Sequence, residues 1–140
     1  EEFSRAAPGG VGFTKCAGNY AASLLPTALA QDEGYDQVLW TDSITHTLVE
    51  ETGTTNFFAV YGNTIVTPEL TDTLLAGTTR ESVILSLRAL GYNVEERKLS
   101  VQELKDKLSA GLLSELFILA FCCTINCGCL IIIFFLFYDL

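Results

Sequence analysis

The chain has 140 residues, 49% of them hydrophobic, enough for one domain that buries roughly 65–70% of the surface its unfolded form exposes, and too few for two. Seventeen acidic against eight basic residues leave a net charge of −9, a field that repels phosphate backbones, so no nucleic acid is expected as a partner. No methionine occurs, so Glu1 is read as an internal starting point. The opening EEFSRAAPGG has neither the apolar core of a signal peptide nor the basic, acid-poor make-up of a transit peptide. Cys16 is the one thiol of the first 115 residues; Cys122, Cys123, Cys127 and Cys129 crowd into eight. That is no disulfide framework, and a reducing, cytoplasmic setting is expected.

In chain order, PGGVG (Pro8 to Gly12) reads as a turn and Ala17 to Gln31 as a helix that Pro26 kinks or divides. QVLWTD (Gln37 to Asp42), THTLVEE (Thr45 to Glu51), TNFFAVYG (Thr55 to Gly62) and NTIVTPE (Asn63 to Glu69) read as a run of antiparallel strands, with Gly62-Asn63 as a hairpin turn. TTRESVILSLRALG reads as a helix capped by Thr78 or Thr79 and closed by Gly91. NVEERKLS (Asn93 to Ser100) reads as an edge strand, and Ser100 with Glu103 as the capping box of a last helix, VQELKDKLSAG.

Lys15 stands between the glycine-rich turn and the first helix. A lysine there can be a solvated charge, a grip on phosphate, or an amine that forms a Schiff base. The P-loop pattern fails, since Cys16 follows where Ser or Thr is needed. The dinucleotide fingerprint fails too, since PGGVG lacks the strand-turn-helix setting.

The segments APGGVGFTKCAGNYAASLLP, YDQVLWTD, LVEETGTTNFF, VTPEL with LLAGTTRESV, and LGYNVEERKLS stand in an order and spacing that resembles the branched-chain amino acid aminotransferases, pyridoxal 5'-phosphate (PLP) enzymes of fold type IV. The likeness runs from about Glu1 to Phe117, and its signal is joint: KxxGNY, EExGTxN and GxTR together. It implies an α/β (α+β) fold, the D-amino acid aminotransferase-like large domain of a fold-type IV enzyme, truncated here.

Carried across, Lys15 resembles the catalytic lysine that binds PLP covalently and shuttles the substrate α-proton. Tyr20 resembles the tyrosine that hydrogen-bonds the phenolic oxygen of the cofactor, and Glu51 the carboxylate that keeps the pyridine nitrogen protonated. Leu75 would pack on the ring, and the N–H groups of Thr78 and Thr79 would hold the phosphate. Glu50 is expected to face solvent by strand alternation, Asn19 to serve a turn, Cys16 to be a small packing residue and His46 to lie at the surface. The resemblance further implies amino-group transfer from leucine, isoleucine or valine to 2-oxoglutarate, and a full-length enzyme that is a homodimer or larger. Ala76 stands where the family usually has proline, and Thr55 where it often has methionine. An N-terminal domain supplying an arginine to the phosphate, and a later Gly-Thr-Ala turn, find no counterpart, so the chain is expected to be an incomplete fragment that does not catalyse alone.

From Leu116 to Tyr138 no charged residue occurs over 23 positions. The expected division is therefore a partial PLP-binding domain, 1–115, and an apolar Cys-rich tail, 116–140. The tail is long enough to span a bilayer, but its bias to Phe, Leu, Ile and Cys favours an out-of-frame or intron-derived translation over a genuine anchor, with a buried helix as the third reading. The alternative reading is an inactive, membrane-anchored remnant of an aminotransferase. CysCys-x3-Cys-x-Cys lacks the paired spacing of a zinc site, so no metal is expected.

Overall fold

The computed structural model describes residues 3–121 and 130–135. Its first element, α1 (Ala17–Asp32), runs unbroken through Pro26, whose missing N–H leaves the Ala22 carbonyl without its helical donor. Gly34, at φ 92, closes it: Gly34 and Tyr35 donate to the carbonyls of Gln31 and Ala30, the paired bonds of a Schellman motif.

Strands β1 (Leu39–Thr41), β2 (Val49–Thr52), β3 (Thr55–Tyr61) and β4 (Thr64–Thr67) pair antiparallel in sequence order, as the alternating β-branched and aromatic runs predict. Gly62 joins β3 to β4 at φ 61 while Asn63 keeps a negative φ, the type II′ pattern with glycine first. Helix α2 (Thr78–Ala89) then crosses to β5 (Asn93–Glu96), which lies parallel to β4. The run of antiparallel strands thus ends at β4, because a helical crossover returns the chain in the same direction. The N-cap of α2 is Gly77, without a side-chain cap, rather than Thr78 or Thr79. Its other end follows expectation: Gly91 and Tyr92 donate to Arg88 and Leu87.

Helix α3 (Val101–Ser109) keeps half of its capping box. Ser100 Oγ accepts from the Glu103 N–H at 3.0 Å, but Arg97 holds the Glu103 carboxylate bidentately at 2.7 and 2.9 Å.

Strand β6 (Glu115–Phe121) pairs with β3 along residues 56–60, and β7 (Leu130–Phe135) pairs with β6. Asn56 and Ala59 of β3 both pair with β6, and on their other side with β2 and β4 respectively. Strand β6 therefore occupies one edge of β3 over residues 56–60, and its alternate residues enter opposite cores. Leu116 and Ile118 join Phe57, Ala59, Leu99 and Leu104 under α3; Phe117 and Leu119 join Phe58, Ile65 and Ile84 under α2. A strand buried on both faces reads as a continuous apolar run. The compositional break at Leu116 marks such a strand, and the expected 115/116 boundary falls inside β6. Among the described residues no helix is long and apolar enough to cross a membrane. The four clustered cysteines lie outside the described residues, and with them the metal reading.

Phe58 is fully buried and stacks on Phe117 with centroids 4.8 Å apart and planes 5° from parallel. Phe58→Leu is expected to lower stability by about 1–2 kcal/mol through the lost ring contact and imperfect refilling. A lower urea midpoint at unchanged slope checks this.

Candidate active site

Arg5, 9% exposed, is carried to the end of β2 by the loop that precedes α1. That loop lies so close to residues 71–75 that a Cβ on Gly12 would sit 2.7 Å from the Thr73 carbonyl oxygen, which only glycine avoids. Asn19 fixes it from the helix side, its Nδ2 donating to the carbonyls of Val11 and Thr14 at 2.9 and 2.8 Å, in the turn role expected.

Glu51, 2% exposed, is the group on which these segments converge. Its Oε2 accepts from Arg5 Nε at 2.9 Å and its Oε1 from the Leu75 N–H at 2.7 Å. Asn56 Nδ2 sits 3.5 Å from Oε1 and donates to the Leu75 carbonyl at 3.0 Å. Burial pushes the Glu51 carboxyl above its usual range, while Arg5, the Leu75 N–H and the charge of Lys15 oppose the rise.

Lys15 is exposed rather than buried, and its Nζ lies 5.6 Å from the centre of the Tyr20 ring, within cation–π reach. Tyr20, Leu75 and Arg5 line one cleft, together with Gly53 and Thr54 of the β2–β3 turn. Two residues past Leu75, Gly77 opens α2. The first helical bond there runs from Glu81 N–H to the Gly77 carbonyl, so the N–H groups of Thr78 and Thr79 have no partner within the helix. Arg80 of the same motif turns away, pairing with Glu96 at 3.0 Å and donating to the Pro68 carbonyl at 2.9 Å. Tyr20 and Leu75 thus line this cleft, Lys15 neighbours it through the Tyr20 ring and Glu51 lies behind it, bonded to Arg5 and Leu75, with Thr78 and Thr79 on the turn that continues from Leu75.

Two features depart from the sequence reading. Glu50 is buried, 7% exposed, not solvent-facing, because all four residues of β2 are covered; its Oε1 accepts from Thr73 Oγ1 at 2.6 Å. Arg5 has a central place that no motif assigned to it. A signal existed: Arg5 and Lys15 are the only basic residues before Arg80, and a buried carboxylate needs a cation. Cys16 is half-buried as the N-cap of α1. His46 is half-buried, at φ 52, with Nδ1 3.4 Å from Thr41 Oγ1.

Burial also pushes the Glu50 carboxyl up. Both glutamates therefore hold protons in the folded chain at pH values where the unfolded chain has released them. Their contribution to stability is fully present below the ordinary glutamate value of about 4.3 and is lost as pH rises through the folded values. Glu50→Gln keeps an acceptor for Thr73 and removes a buried charge. It is expected to raise neutral-pH stability by about 1 kcal/mol, a gain that fades in acid. Thermal melts at pH 4 and pH 7 check this.

The fold has solved counterparts. The branched-chain amino acid aminotransferase of Escherichia coli superposes with a TM-score of 0.70 at 31% identity, over 84% of this chain and 36% of that one. The T.th. branched-chain amino acid aminotransferase, complexed with N-(5'-phosphopyridoxyl)-L-glutamate, gives 0.71 at 29% identity, over 84% and 37%. The α/β fold of the fold-type IV aminotransferases is thereby established for this chain. The Amino-transferase class IV family model matches residues 11–119, and the chain belongs to that family. It is 49% identical over 117 residues to the probable branched-chain-amino-acid aminotransferase of Staphylococcus aureus (strain N315), a match covering 84% of this chain. The chain spans about a third of the length of the curated relatives it matches.

Proposed function

We propose that this chain is the cofactor-carrying part of a PLP-dependent transaminase that moves the amino group of leucine, isoleucine or valine to 2-oxoglutarate. The observation that supports the reading is the neighbourhood of this cleft: an exposed lysine amine beside the tyrosine that lines it, a buried carboxylate paired with the arginine that lines it, and helix N–H groups without a side-chain cap just beyond Leu75. The substrate class is supported by the relatives, which are branched-chain aminotransferases in name.

The residues suit this cofactor. Each oxygen of Glu51 has two lone pairs, so the carboxylate keeps acceptor capacity for a ring N–H beyond Arg5 and Leu75. The phosphate dianion needs several N–H donors at a helix start, and Thr78 and Thr79 offer them. When bound, PLP supplies an electron-accepting ring that stabilises the substrate carbanion.

The chain's own groups divide the remaining work. The Lys15 amine carries the cofactor and then takes and returns the proton at the substrate α-carbon. Tyr20 donates to the ring oxygen and steadies the ring edge. Glu51 keeps a negative charge near the ring nitrogen, and Leu75 excludes water from one ring face. Incubating the full-length protein with PLP, leucine and 2-oxoglutarate is expected to yield glutamate, with isoleucine and valine as alternative donors. Glutamate formation from none of the three would remove the substrate assignment.

A further inference from the structure

We propose that Glu50 is a positioning residue of this site, acting through Thr73 to hold Arg5 against Glu51. The inference rests on the reading of Glu51 as the carboxylate that faces the cofactor ring. Glu50 is more than nine-tenths buried, yet among the described residues its Oε2 has no hydrogen-bond partner. A carboxylate kept in so costly a position calls for a task beyond packing.

Its one bond supplies the task. Glu50 Oε1 accepts from Thr73 Oγ1 at 2.6 Å, and Thr73 is itself 3% exposed. The Thr73 carbonyl in turn accepts from Arg5 Nη1, which also donates to the Gly12 carbonyl at 3.3 Å. Nη2 donates to the same Gly12 carbonyl at 3.3 Å, so with both terminal nitrogens turned to the loop the guanidinium meets Glu51 through Nε, at 2.9 Å.

The arrangement follows from the sequence register. Consecutive residues Glu50 and Glu51 grip the same loop two residues apart, one at the Thr73 hydroxyl and the other at the Leu75 N–H. Without the hydroxyl bond the loop backbone at Thr73 loses its anchor to β2, and a backbone shift there would withdraw the Thr73 carbonyl from Arg5 and loosen the charge that balances Glu51. Thr71 Oγ1, 2.8 Å from Thr73 Oγ1, is the other group that orients the hydroxyl.

Thr73→Val, Thr73→Ser, Glu50→Leu and Glu50→Gln in the full-length protein test this, with hydrogen exchange of the Arg5 Nε–H followed by NMR on arginine-labelled samples. Thr73→Val or Glu50→Leu, whichever folds, is expected to exchange at least about tenfold faster, the worth of one hydrogen bond. Thr73→Ser and Glu50→Gln, which keep donor and acceptor, stay within about twofold of wild type. The pH midpoint of the absorbance of added PLP should shift in the first pair and hold in the second. Wild-type exchange in Thr73→Val or Glu50→Leu overturns the proposal, as does equally fast exchange in Thr73→Ser. Accelerated exchange in a protein that binds no PLP upholds the positioning and defeats the cofactor reading instead.

Discussion

Replacing Lys15 by arginine is expected to lower amino-group transfer by at least about 10³-fold, because one substitution removes both the nucleophilic amine and the acid–base group. A guanidinium keeps the positive charge but does not deprotonate in this pH range. Lys15 is exposed, with the Tyr20 ring as its neighbour, so stability should change by no more than about 0.5 kcal/mol. Steady-state rates with leucine and 2-oxoglutarate, beside a thermal melt, separate the two effects. A slow variant that melts as wild type does places the defect in chemistry.

Glu51→Ala acts at both levels. It strands Arg5, a guanidinium 9% exposed, without the carboxylate that balances it, and breaking a buried pair from one side costs about 3–5 kcal/mol. The Leu75 N–H loses its acceptor as well, so the turn leading to Thr78 and Thr79 is released. The milder Glu51→Gln keeps an acceptor oxygen and loses the charge, and turnover is expected to fall at least about 10²-fold. In the wild type, the upward pull of burial on this carboxyl places the acidic fall in activity at a higher pH than an ordinary glutamate would give. Glu51→Gln should flatten that limb of the pH–rate profile.

Much of this is legible along the chain. The hairpin at Gly62-Asn63, the closing of α2 at Gly91 and the capping of α3 by Ser100 are local, set by residues a few positions apart. Glu51 is singled out through a motif, whereas its burial and its pairing with Arg5 come only from the fold. Alternation places Glu50 in solvent because the rule assumes one wet face, whereas β2 is covered on both sides. Arg5 escapes because its partner lies 46 positions away in sequence and only the fold joins them. Residues 116–119 are separated from the domain for the opposite reason. Their apolar run resembles a tail, and only pairing with β3 shows it to be core.

The central claim is that Lys15 carries the cofactor, and borohydride reduction followed by peptide mass spectrometry tests it most directly. The protein is loaded with PLP, reduced and digested. One added phosphopyridoxyl mass is expected, on the peptide that contains Lys15 and absent from Lys15→Arg. Labelling of Lys98, Lys105 or Lys107 in its place, or no label on a protein that retains PLP, would refute it.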